Sequence, residues 1–410
     1  MARAERHRWA FASRFRRGAF GWRSQPAVQR VGEAVAEIKK VARTDPVLAG
    51  DGAVLFLEKV SPALEHVDSS SGAIGAAVNR AVEELARVIA AAPADAETRD
   101  RWLARLWEAH EADQIPYIEV LGEFWGEVCG SRATASQWAD RLAGTVRMAW
   151  SPDPGRGGFF HGTTACLSAL YRAERYEELV ALLRLDRLRF WPYQRWGVRA
   201  LVAMGQRAAA IRLAESCRRQ DADDRAIALA CEEILLSSGL AEEAYQRYAI
   251  VANQRSSYLA TFRAIVGRYP QRQPAEVLGD LVASTPGQEG KWFAAAKSAK
   301  LYDAAIELAR RSPCDPRTLT RAARDCAQTE PGFAVEAGML ALHWLARGYG
   351  YEVSAADVWA AYSHAMQAAD RIGCCDAVRE RVRQLVAGEA AEAVGSRLVA
   401  GVLGREVGVV

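Results

Sequence analysis

The chain lacks most of what would announce chemistry. It has no Cys-x-x-Cys pair and no His-x-x-x-His pair, so the usual ligand spacings of a zinc site are absent. Its six histidines (His7, His66, His110, His161, His343 and His364) are scattered, and no pair of carboxylates stands apart from the many solvated ones. No catalytic constellation emerges, and the expectation is a non-enzymatic protein with no cofactor and no metal. β-branched runs are few, which argues against sheet. No apolar run reaches the length of a membrane span, and residues 1–30 hold no continuous apolar stretch of the secretory kind. The eight cysteines (Cys129, Cys166, Cys217, Cys231, Cys314, Cys326, Cys374 and Cys375) therefore read as small hydrophobes in a reducing cytosol. The adjacent pair Cys374–Cys375 leaves two readings, a redox-active pair or the end of a helix.

What is present is alanine, tryptophan and a recurring pattern. Half of the 410 residues are hydrophobic and a quarter charged, a globular balance. Alanine-rich stretches such as 73–92 and 316–346 suit helix. Five of the twelve tryptophans (Trp102, Trp107, Trp125, Trp138 and Trp150) crowd the N-terminal half. They read as core filling between helices, or more sharply as an aromatic groove. Four segments, 173–185, 204–216, 238–250 and 299–311, share a short turn followed by a helix with apolar residues every three or four positions. The steps between them are 31, 34 and 61 residues, the last close to two periods. Such a period predicts an all-α, right-handed α-solenoid of stacked helix-turn-helix hairpins, each burying its apolar face against its neighbours.

Charge and punctuation divide the chain further. Residues 1–30 hold eight arginines and one acid, so a basic arm precedes a mildly acidic body. The organisation read from this is a basic aromatic arm (1–25), an N-terminal helical region (26–150), a linker (151–158), hairpin repeats (159–387) and a capping segment (388–410). Pro26 is expected to open the first helix, with Ser24 as its cap, and a stripe of Val28, Val31, Val35, Ile38 and Ala42. A second helix is expected to include 52–64. Asp95 is a candidate N-cap, with Trp102, Leu103, Leu106, Trp107 and His110 on the helix after it. Two more helices are expected over 116–128 and 133–150. The linker Ser151-Pro-Asp-Pro-Gly-Arg-Gly-Gly158 cannot continue a helix. In the capping segment, Val394, Leu398 and Val402 share one face.

Three stretches are candidate sites. In the arm, Arg8, Arg14, Arg16, Arg17 and Arg23 alternate with Trp9, Phe11, Phe15, Phe20 and Trp22. Arginines neutralise phosphates and aromatic rings stack on unpaired bases, so RNA or DNA is one partner. An anionic membrane surface is another. Docking of the aromatics on the body itself or on a partner protein, with the arginines pairing acidic groups, is the third. The binding set is Arg8, Trp9, Arg14, Arg16, Arg17, Trp22 and Arg23. The loop Asp68-Ser-Ser-Ser-Gly72 precedes a helix, where free N–H groups would suit a phosphate or a plain cap. Gly162 is expected to end the linker, with Thr163 or Thr164 capping the next helix.

The four turn segments resemble tetratricopeptide repeats. In that family a small residue stands five positions after the turn, where two helices cross closely. Here those positions hold Leu179, Ala210, Ala244 and Ala305, and Tyr176 and Tyr302 match the aromatic start of the second helix. The first-helix positions, where the family has a small residue, are Leu167, Val198, Glu232 and Phe293. The resemblance thus covers half of each repeat over about 150 residues. The chain as a whole is similar to a group of bacterial helical-repeat proteins of no assigned activity, through Ala19-Phe-Gly-Trp-Arg23, Asp68-Ser-Ser-Ser-Gly72 and Gly290-Lys-Trp-Phe-Ala-Ala-Ala296. The stretch Phe159-Phe-His-Gly-Thr-Thr164 resembles the His-Gly-Thr strand motif of ADP-ribosyltransferases, which implies NAD ribose contacts for His161 and Thr163. The residues after it read as a helical hairpin. The function expected is a cytoplasmic scaffold or adaptor that binds another protein through a concave face and its arm. The alternative is a nucleic-acid-associated protein. Oligomeric state is not fixed by the sequence.

Overall fold

The computed structural model describes residues 7–151, 158–218, 224–387 and 394–408; among them all regular structure is helical and there is no strand. The chain divides into two compact units, Met1–Asp223 and Asp224–Val410. The first holds α1 (Ser24–Ala42), α2 (Pro46–Ala63), α3 (Ala73–Ala91), α4 (Ala96–Glu111), α5 (Trp125–Val128), α6 (Arg132–Ala149), α7 (Thr163–Arg172), α8 (Tyr176–Leu183), α9 (Trp191–Ala203) and α10 (Arg207–Glu215). The second holds α11 (Asp224–Leu236), α12 (Ala241–Ala252), α13 (Tyr258–Arg268), α14 (Pro274–Ala283), α15 (Phe293–Ser298), α16 (Tyr302–Arg311), α17 (Pro316–Cys326), α18 (Pro331–Ala346), α19 (Ala355–Arg371), α20 (Cys375–Ala387) and α21 (Val394–Leu403). Within each unit, helices pack mainly on the next one or two along the chain.

Local chemistry sets the helix ends. Asp45 and Asp95 accept the N–H of Leu48 and Thr98, capping α2 and α4. α1 begins earlier than expected: Arg23 is its N-cap, Ser24 makes no side-chain cap, and Pro26 sits in the first turn, where a missing N–H costs nothing. The segment expected as a helix over 116–128 is instead a 3₁₀ stretch (Glu119–Phe124) leading into α5. Its glycines explain the departure. A Cβ on Gly126 would lie 2.4 Å from the Ser168 carbonyl, so this segment is shaped by close approach to α7. In α21 the packed positions are Gly395, Val399 and Leu403, one residue on from the expected stripe; Leu398 and Val402 are half-buried. Gly395 lies against the Leu345 carbonyl of α18, which fixes that rotation. Residues 152–157 of the expected linker and 388–393 of the capping segment lie outside the described residues. α6 and α7, on either side of 152–157, pack on each other and share the core of the first unit.

One turn recurs. Glu174, Gly205, Gly239 and Lys300 all have φ between 57° and 75°, the left-handed region. In each case the next residue's N–H donates to the carbonyl five residues back, at 2.8–3.0 Å: Arg175 to Leu170, Gln206 to Leu201, Leu240 to Leu235, Leu301 to Ala296. This is the Schellman closure of a helix end. The following helix starts at once. Five positions after the left-handed residue, Leu179, Ala210, Ala244 and Ala305 are all fully buried. A fifth turn, missed in the sequence, joins α19 to α20: Gly373 has φ 68°, Cys374 N–H donates to Ala369, and Val378 is buried. The 61-residue step contains the hairpin α13–α14, whose turn at Tyr269 has φ −124° and so lacks the signature.

One residue that departs from the tetratricopeptide pattern, Glu232, has a structural role. Glu232 is fully buried on α11. Its Oε1 accepts Asn253 Nδ2 at 2.7 Å and the Tyr269 hydroxyl at 2.6 Å, and Arg268 lies 3.6 Å from Oε2. The carboxylate therefore ties α11 to the ends of α12 and α13. Burial, and then the hydrogen bond to Glu232, push the Tyr269 phenol well above its ordinary range.

Candidate functional site

The basic aromatic arm is mostly folded into the first unit. Trp9, Phe11 and Phe15 are buried. Phe11 and Phe15 meet Phe56 of α2 edge-on, with centroids 5.8 and 5.1 Å away. The backbone N–H groups of Ala10 and Phe11 donate to the Glu37 carboxylate at 2.7 and 3.1 Å. Gly18 N–H reaches the Pro62 carbonyl, and the Trp22 carbonyl accepts from Asp68 N–H. Arg14 pairs with Glu33 and Arg17 with Glu65, at 3.0 and 3.1 Å. The aromatics thus dock on the body and two arginines pair its acidic groups, one of the three arrangements the sequence allows. Of the binding set, Trp9 cannot offer its ring to a base. Arg8, Arg16, Trp22 and Arg23 remain exposed, and none of these arginines has an acidic partner among the described residues.

The other sequence candidates are also resolved into local structure. Asp68 accepts the Ser70 N–H, Ser71 Oγ accepts that of Ala73, and the Gly72 N–H closes on the Ser69 carbonyl, so the serine loop satisfies itself. His161-Gly162 is a turn, not a strand, and Thr163 opens α7 with its hydroxyl donated to the Phe160 carbonyl at 2.7 Å. Gly162 is required there, since a Cβ would lie 2.6 Å from both Phe160 and Trp107. The His161 ring lies tilted against His110, centroids 4.2 Å apart, and His110 is buried beside Trp107. Neither His110 ring nitrogen has a hydrogen-bond partner among the described residues. Burial, reinforced by the neighbouring His161, pushes the His110 pKa down to about 4. The tryptophans fill core: Trp102 and Trp125 are fully buried, Trp138 nearly so. Burial also raises the thiols of Cys129, Cys166 and Cys314 to about 12, which removes their thiolate character near neutrality.

The sequence did not signal the most exposed apolar surface. Between α8 and α9, the buried Asp186 accepts the N–H groups of Leu188 and Phe190 at 3.1 and 2.9 Å and the Gln194 amide at 2.9 Å. Arg189 takes φ 47°. These constraints turn Leu188 and Phe190 outward, 70% and 52% exposed, beside Phe159 at 74%. They rim a cleft of roughly 540 Å³ floored by Trp150, Phe160 and Tyr193. Arg187 lines it as well, exposed. Each apolar residue alone is unremarkable in sequence; the Asp186 side chain that groups them acts through backbone contacts no spacing rule encodes. Chemically the surface offers shape, apolar area and positive charge. No known family model matches the chain, and no curated protein matches it. No helix among the described residues is long and apolar enough to cross a membrane.

Proposed function

We propose that this chain is a non-enzymatic scaffold, a right-handed α-solenoid of stacked tetratricopeptide-like hairpins that binds another protein in the cytoplasm. The recurrent left-handed turn, with a buried residue five positions on, supports the hairpin repeat, and packing of each helix on its chain neighbours within each unit fits stacking. The observation that carries the binding reading is the group of Phe159, Leu188 and Phe190 around one cleft, since large apolar side chains gathered at a surface mark interaction sites. The exposed Arg8, Arg16, Trp22 and Arg23 extend the surface open to a partner, as would the concave face of a solenoid.

Affinity capture from a lysate of the source cells, with and without nuclease, tests this. A tagged full-length chain is compared with a Leu188→Asp/Phe190→Asp variant. The expected result is a protein set that survives nuclease and is lost with the variant. Release by nuclease would replace this reading with the nucleic-acid-associated one, for which Trp22 and the unpaired arginines are the remaining contacts. Unchanged capture by the variant would remove the cleft from the function.

A further inference from the structure

A second surface is shallow, small-floored and basic. α1 and α3 pack side by side, and between them runs an open groove of roughly 670 Å³. Its floor is the edges of Val31, Val35, Ala77 and Ala81, all nearly buried. Gly32 lies on its α1 side, and a Cβ built there would meet no atom within 4 Å. A glycine inside a helix costs about 1 kcal/mol relative to alanine. Gly32 is in neither a cap nor a turn, and among the described residues no neighbour uses the room it leaves. Small residues on a helix surface let another helix approach closely.

The rim is positive. Lys40, Arg43 and Arg80 are exposed and have no acidic partner among the described residues. The acid at the rim, Glu84, is already taken by Lys39 at 2.7 Å. The apolar floor therefore sits between uncompensated cations, and α1 alone offers about 28 Å of length. We infer that the α1–α3 groove docks an acidic amphipathic helix of a partner protein, its small apolar face on Val31, Val35 and Gly32 and its carboxylates toward Lys40, Arg43 and Arg80. This deepens the scaffold reading and rests on it. Complementary charge of this kind fixes orientation and partner choice.

Three synthetic 20-residue peptides test it by fluorescence anisotropy against the full-length chain. They share one helical apolar stripe: the first has glutamate flanks, the second lysine flanks, and the third has glutamate flanks with the stripe scrambled. The expected result is binding of the first alone, weakened by salt. Gly32→Phe, which fills open space rather than core, should abolish it with the thermal midpoint unchanged or raised. Lys40→Glu/Arg80→Glu should weaken it about tenfold or more. Equal binding of acidic and basic peptides, binding of the scrambled one, or indifference to both variants would overturn the groove. The same Gly32→Phe chain in the lysate capture separates the two ideas. Peptide failure with protein capture intact sinks the groove alone, whereas loss of all nuclease-resistant capture by the unaltered chain sinks the scaffold.

Discussion

The indole of Trp9 lies on the bare α-carbon of Gly52: a Cβ at that glycine would sit 2.2 Å from Trp9 Cζ2. The N-terminal segment is thereby keyed into α2 and is part of the core. Trp9→Ala should cost about 3–5 kcal/mol of unfolding free energy, as for other large-to-small core changes. A chain beginning at Ser24, which also loses Phe11 and Phe15, should be destabilised further. Urea denaturation read by tryptophan fluorescence checks both. Unchanged midpoints would mean that the segment is an appendage.

Ala210 and Ala244 should mark the closest helix crossings, since both are fully buried five residues after a left-handed turn. Ala210→Phe or Ala244→Phe should overpack the contact and cost roughly 1–3 kcal/mol. A lowered midpoint in thermal melts is the expected outcome. No change would refute the hairpin alignment at that position.

Glu232 should be intolerant of apolar replacement. Glu232→Leu leaves the Tyr269 hydroxyl and the Asn253 amide without their acceptor in a buried site, at a cost of about 3–5 kcal/mol. Glu232→Gln keeps one acceptor oxygen and should cost clearly less. Chemical denaturation of the two variants side by side gives the ordering.

Stability should fall in mild acid through His110. Its ordinary pKa of 6.5 is lowered to about 4 in the fold, because burial and the adjacent His161 both penalise the imidazolium. The unfolded chain therefore takes up a proton first as pH drops below 6.5, and the folded state loses relative stability from there down to about pH 4. The full loss is about 3 kcal/mol. Below that range both states are protonated and the contribution is flat. Thermal midpoints between pH 7 and pH 4 should show the decline, and His110→Phe should flatten it. A slope unaltered by that substitution would assign the acid sensitivity elsewhere.

The helical class was legible because alanine content and apolar spacing act locally, and the caps Asp45 and Asp95 confirm how directly such signals are read. Asp95 is legible as a cap in the sequence, and the aligned segments mark four turns of the Schellman-closed kind in which the next helix starts at once. Another such turn, at Gly373, is followed by Cys374 and Cys375 and lies outside the aligned segments. Other features depended on distant groups. That Gly126 faces the Ser168 carbonyl, or that Asp186 organises Leu188 and Phe190, is decided by packing across the fold. The arm left its alternatives open for a related reason. Alternating arginine and aromatic residues suit a nucleic-acid binder and a docked strap equally well, and the docking contacts with Phe56, Gly52 and Glu37 lie far along the chain.

What recurs in this chain is a dihedral angle rather than a letter. The hinge residue of the first four aligned hairpins is Glu, Gly, Gly and Lys, yet the backbone adopts one handedness at all of them. For Glu174 and Lys300 that handedness costs about 1–2 kcal/mol each, which glycine would not incur. The helices on either side must hold those two joints in place. A comparison of residues alone therefore sees four unlike turns, and Glu174→Gly or Lys300→Gly would bring the letters into line with a geometry the chain already keeps.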